Sequence, residues 1–76
     1  MVIDLIITST DDGCTSDVPS IKGCECWAHK EDEVIEKSLE LVSFYLKIPD
    51  KSKIKVDLAR KESNRKIYKL IFNKSV

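Results

Sequence analysis

Residues Asp11 to Lys47 read DDGCTSDVPSIKGCECWAHKEDEVIEKSLELVSFYLK, and this stretch decides the fold. Asp11-Asp12-Gly13 is turn chemistry: aspartate bonds its own backbone and glycine accepts unusual φ values. Cys14 to Val18 follows as a short return strand, ended by Pro19, which cannot donate to a ladder. Pro19 to Gly23 is a tight connection with apolar Ile21 turned into the edge of the core. Cys24 to Ala28 predicts a third strand, with Cys24 and Cys26 on one face and Glu25 and Trp27 on the other. Beyond His29 the pattern changes to three- and four-residue spacing. Val34, Ile35, Leu39, Leu41, Val42, Tyr45 and Leu46 form an apolar stripe, interrupted by Ser38, on a helix that ends near Lys47. Glu31, Asp32 and Glu33 suit its first turn, and Pro49 blocks its continuation.

Working outward, Val2 to Ser9 is rich in β-branched residues and predicts a strand. Ile3, Leu5 and Ile7 share one face; Val2, Asp4, Ile6 and Thr8 share the other. After a loop at 48–52, Ile54, Val56 and Leu58 alternate with lysine and aspartate as a half-buried strand. The polar run 61–65, KESNR, predicts a turn with Asn64 in the left-handed conformation. Lys66 to Asn73 returns as a strand, with Tyr68, Leu70 and Phe72 on one face and Ile67 and Ile71 on the other. The expected class is α+β, in the order β-β-β-α-β-β, with one helix covering one face of an antiparallel sheet. Residues Ile6, Trp27, Ile67 and Ile71 then lie on the uncovered face and are the expected interface with another chain.

With 76 residues there is room for a single domain. A chain this short buries only about 60% of its unfolded surface, which favours self-association into a dimer or larger homo-oligomer. A formal net charge of zero argues against broad electrostatic binding to nucleic acid. The apolar runs all fall short of the ~20 residues that cross a bilayer, and the first ten residues lack a basic leader. Three cysteines, an odd number, fit reduced thiols in the cytoplasm.

The segment from Asp11 to Val42 resembles the N-terminal domain of HicB-type antitoxins and their stand-alone relatives. The resemblance is carried by the turn Asp11, Asp12, Gly13, the strand end Val18-Pro19, the link Ile21-x-Gly23-Cys24, and the acidic helix with Ile35, Leu39 and Val42. It covers roughly half of the chain. It departs from the family in the polar return strand Cys14-Thr15-Ser16-Asp17, and at Ala28 and His29, where a glycine and a capping residue are usual. The resemblance implies a degenerate ribonuclease H-like scaffold without catalysis. Its partner would be a small HicA-like messenger-RNA-cleaving toxin, whose active site the sheet and connecting loops would cover. Such antitoxins often continue into a DNA-binding domain; a hairpin stands at that point here, so operator binding is not expected. The alternative is a stand-alone oligomeric regulator that binds a ligand or RNA without a toxin.

Three constellations could carry chemistry. Cys14, Cys24, Cys26 and His29 could form a Cys3His zinc set, but their spacing is not the paired C-x2-C knuckle, and plain thiols are the expectation. Asp4, with Asp11, Asp12 and Asp17, could imitate a two-metal nuclease; turn chemistry and solvent exposure explain these residues without catalysis. The basic residues from Lys51 to Lys74 could hold nucleic acid, but aromatic residues there are limited to Tyr68 and Phe72. The expectation is therefore no catalytic residue, no metal and no cofactor.

Overall fold

A computed structural model describes residues 1–72. It comprises β1 (Val2–Ser9), β2 (Cys14–Asp17), β3 (Glu25–Ala28), α1 (Glu31–Leu46), a 3-10 turn (Lys51–Lys53), β4 (Lys55–Lys61) and β5 (Arg65–Ile71). The five strands form one antiparallel sheet in the order β3-β2-β1-β5-β4, with α1 against one face. The expected α+β class and element order are thus found.

The N-terminal strand lies at the centre because it is the most apolar on its inner face. Ile3, Leu5 and Ile7 are all buried, and its two neighbours shield its backbone on both sides. The β1–β2 reversal closes with Thr10 and Gly13 exchanging backbone hydrogen bonds. In the β2–β3 link, the Val18 N–H donates to Cys24 O at 3.1 Å and the Ile21 N–H donates to Val18 O at 2.9 Å. This compact reversal buries Val18 and Cys24 against the helix side. It also trims both strands: Val18 and Cys24 belong to the link, not to β2 and β3 as the sequence suggested.

The helix buries Val34, Ser38, Leu39 and Val42. Ser38, read as an interruption, is at the centre of the packing. Its hydroxyl lies 2.6 Å from both the Val34 carbonyl and the Ser16 hydroxyl, so its polarity is satisfied inside the core. Tyr45, assigned to the apolar stripe, is 45% exposed at the stripe's margin. At the C-terminus Lys47 takes the left-handed conformation (φ 56°, ψ 45°), and the Ile48 N–H donates to Ser43 O at 2.8 Å. That six-to-one bond is the Schellman arrangement.

The C-terminal hairpin corrects two expectations. Asn64 is not left-handed; Lys47 is the one non-glycine residue with positive φ among the described residues. Instead the Asn64 carbonyl accepts the Ser9 N–H at 2.7 Å, tying the turn to the end of β1. Leu58, expected on the buried face of its strand, is 51% exposed. A helix about 10 Å wide cannot cover five strands spanning ~19 Å. The helix lies over β1, β2 and β3, so of the inner face of β4 Val56 is partly buried against the core and Leu58 is left open. The pairing slips between Leu58 and Arg60, a bulge at Ala59. The β5 ladder ends at Ile71; Asn73, expected in this strand, and Lys74, counted with the basic residues, lie outside the described residues.

Candidate functional site

Alternation along the paired strands fixes which side chains share the helix-free face. One row across the sheet runs Glu25, Asp17, Ile6, Ile67, Arg60. The next rows hold Asp4, Lys69 and Asp57, then Val2, Ile71 and Lys55. On the other side lie Trp27, Thr15, Thr8 and Arg65. Of the four residues proposed as an interface, Ile6 and Ile67 are direct cross-strand partners and Ile71 lies on the same strand as Ile67. These three are partly buried. Trp27 is apart from them, separated by β2, and its ring packs edge-on to His29 with centroids 4.6 Å apart.

The acidic residues do not converge. Asp4 lies on the helix-free face, 2.5 Å from Lys69 Nζ. Glu36 and Glu40 lie on the outer surface of α1, on the opposite side of the sheet, where both are salt-bridged to Lys51. Asp11 and Asp12 are exposed in the β1–β2 turn. Asp17 and Glu25 are cross-strand neighbours on the helix-free face, but among the described residues no third acidic side chain joins them.

The cysteines also divide. Cys14 pairs with Ala28 and Cys26 with Ser16 along the ladder, while Cys24 is buried in the link. Burial pushes the Cys24 thiol up to about 11, helped by nearby Cys26 and Asp17, so it is poorly suited to supply a thiolate at neutral pH. His29 stacks on Trp27 outside the core. Among the described residues, no three His, Cys, Asp or Glu side chains gather as a metal site would require. No helix among them is long and apolar enough to cross a membrane.

Two surfaces were missed by reading the sequence. One is the outer face of α1, where Asp32, Glu33, Glu36, Lys37 and Glu40 line a shallow depression. Phe44, one turn beyond Glu40 and 77% exposed, borders this anionic surface. The signal was present in the helix period: Glu33, Glu40 and Phe44 recur on the face opposite Val34 and Val42. The other is a cross-link between α1 and β5. The Glu31 carboxylate accepts from the Tyr68 hydroxyl at 2.5 Å and from Lys66 Nζ at 2.9 Å. These bonds hold the Glu31 carboxyl below its ordinary range. Burial, together with the bond to Glu31, pushes Tyr68 up to about 12.

No protein-family model, curated protein or solved structure matches this chain.

Proposed function

We propose that this chain is a non-catalytic, cytoplasmic interaction module of the HicB antitoxin type, which neutralises a small HicA-like messenger-RNA-cleaving toxin by covering its active site. The observation that carries the reading is the anionic outer face of α1 with Phe44 at its margin. An enzyme that holds RNA must present cationic groups to phosphates. The helix offers those groups a competing surface that stays net anionic, with Asp32 and Glu33 beside Glu36 and Glu40, which Lys51 bridges, and Lys37; Phe44 adds an apolar anchor. The resemblance of residues 11–42 to the HicB N-terminal domain supports the same reading.

The test is to express the tagged chain in its native host and identify what co-purifies. The expected outcome is a small basic protein in stoichiometric amount, whose RNA-cleaving activity appears only after the complex is separated. Charge reversal on the helix, Glu33→Lys with Glu40→Lys, should weaken inhibition by at least tenfold and reduce its salt sensitivity. Inhibition that survives both reversals and Phe44→Ala would sink the helix surface as the inhibitory site. A homo-oligomer with no companion would replace this reading with a stand-alone oligomeric regulator that binds a ligand or RNA.

A further inference from the structure

The helix-free face of the sheet carries a charge and apolar pattern that is complementary to itself. We infer that this face is the contact between two copies of the chain, packed sheet on sheet about a two-fold axis that runs parallel to the strands between β1 and β5. The inference does not depend on the toxin reading.

The strand register fixes which residues would meet. Such an axis sets β1 of one copy over β5 of the other, and β2 over β4, at the same level along the strands. The central row then stacks Ile6 on the partner copy's Ile67, and the following rows stack Asp4 on Lys69 and Val2 on Ile71. These stackings follow because the same residues already pair side by side within one sheet. The outer contact is independent of that pairing: Asp17 on β2 comes over Arg60 on β4. Within one chain Asp17 and Arg60 are three strands apart, about 14 Å, so they cannot pair with each other. Arg60 lies 3.3 Å from Glu62 of its own chain in an exposed pair that leaves the rest of its guanidinium open to Asp17 of the other copy. An axis at right angles to the strands and through this same row would instead set Asp17 over Asp17 and Arg60 over Arg60. Of the two axes through the Ile6–Ile67 row, the charges thus select the one parallel to the strands.

The axis overlaps four strands of each copy, β2, β1, β5 and β4, and β2 is only four residues long, so the planar footprint is ~350 Å². That lies below the ~800 Å² per partner of a standard interface, so the expected dimer is of micromolar and not tighter affinity. Strands in the two sheets then run in near alignment, the common packing angle for sandwiches. The arrangement is isologous and closes on itself, so it yields a dimer and not a filament. It also covers Val2, which is 57% exposed in the single chain.

The decisive experiment is a charge exchange read by analytical ultracentrifugation of the purified chain. The wild type should sediment as a dimer of the 8.7 kDa chain at micromolar concentration. Asp17→Arg alone and Arg60→Asp alone should each weaken dimerisation by at least tenfold, because each homodimer then contains two like-charge contacts. An equimolar mixture of the two variants should recover the dimer, since both outer contacts of the mixed pair again join an arginine to an aspartate. Both positions are exposed, and far-UV circular dichroism of each variant checks that the fold is kept. A monomeric wild type overturns the inference. So does a dimer that both single variants leave intact, because the contact would then lie elsewhere. Variants that weaken the dimer without recovery on mixing overturn the Asp17–Arg60 pairing and with it the axis.

Discussion

Gly13 and Gly23 stand in equivalent-looking turns but are required for different reasons. A Cβ built at Gly13 would lie 2.5 Å from the Ala28 carbonyl oxygen and 3.1 Å from the Trp27 ring, so the turn presses directly on β3. Gly23 has φ +82°, and a Cβ there would meet only the Tyr45 hydroxyl at 3.9 Å. Its need is conformational and not steric. Gly13→Ala should therefore cost about 2–3 kcal/mol, a backbone displacement, and Gly23→Ala about 1 kcal/mol, the left-handed penalty alone. Urea unfolding of the two variants measures the difference; equal losses would refute the steric account of Gly13. The turn role of both glycines was readable from the sequence. The contact with Ala28 was not, because it joins residues whose closeness depends on β3 pairing with β2.

At the scale of elements, the helix is held by its packing more than by its ends. Lys30 occupies the N-cap with extended backbone angles and makes no side-chain cap, and Lys47 bears the strain of a left-handed residue. The double replacement Lys30→Ser and Lys47→Gly should stabilise the domain by about 1–2 kcal/mol, by adding a hydroxyl cap and relieving the left-handed strain. A thermal melt that failed to rise would show that these termini are already satisfied by other means. The sequence marked the helix and both ends to within two residues, since its period and Pro49 are local signals. It misjudged Ser38. Serine counts as polar in any periodic reading; its bond to the Val34 carbonyl within the helix and the arrival of the Ser16 hydroxyl from β2, each at 2.6 Å, satisfy it in the core.

Across the whole molecule, charge is segregated along the chain and recombined by folding. Residues 1–50 hold eleven of the thirteen acidic side chains, and residues 51–76 hold nine of the thirteen basic ones. Lys51 reaches Glu36 and Glu40, Lys66 reaches Glu31, and Lys69 reaches Asp4. Much of the basic tail is therefore matched within the chain, which weakens its case as a nucleic-acid surface. The Glu31 cluster has a pH consequence. Its folded carboxyl titrates below the unfolded value near 4.3, so its stabilisation is complete above that pH and is lost as the pH falls through the folded pKa. Glu31→Gln should cost about 1 kcal/mol at pH 7, from a charge-assisted bond that is one-quarter exposed. The gap from wild type should narrow toward pH 3. A gap that stayed constant with pH would mean that Glu31 contributes by packing and not by charge.

What the sequence determined by itself was everything carried by short-range pattern. Alternation set the strands and their faces, the helical period set α1 and its buried side, and glycine, aspartate and proline set the turns. It also placed Ile6, Ile67 and Ile71 on one face, because a strand's two faces follow from the pleat alone. Only the tertiary structure decided the order β3-β2-β1-β5-β4, since pairing the first strand with the last closes a loop of the 56 residues between Thr8 and Arg65. That order sets Asp17 and Arg60 on opposite flanks of one face. It also leaves Leu58 beyond the reach of the single helix, because one helix is narrower than five strands.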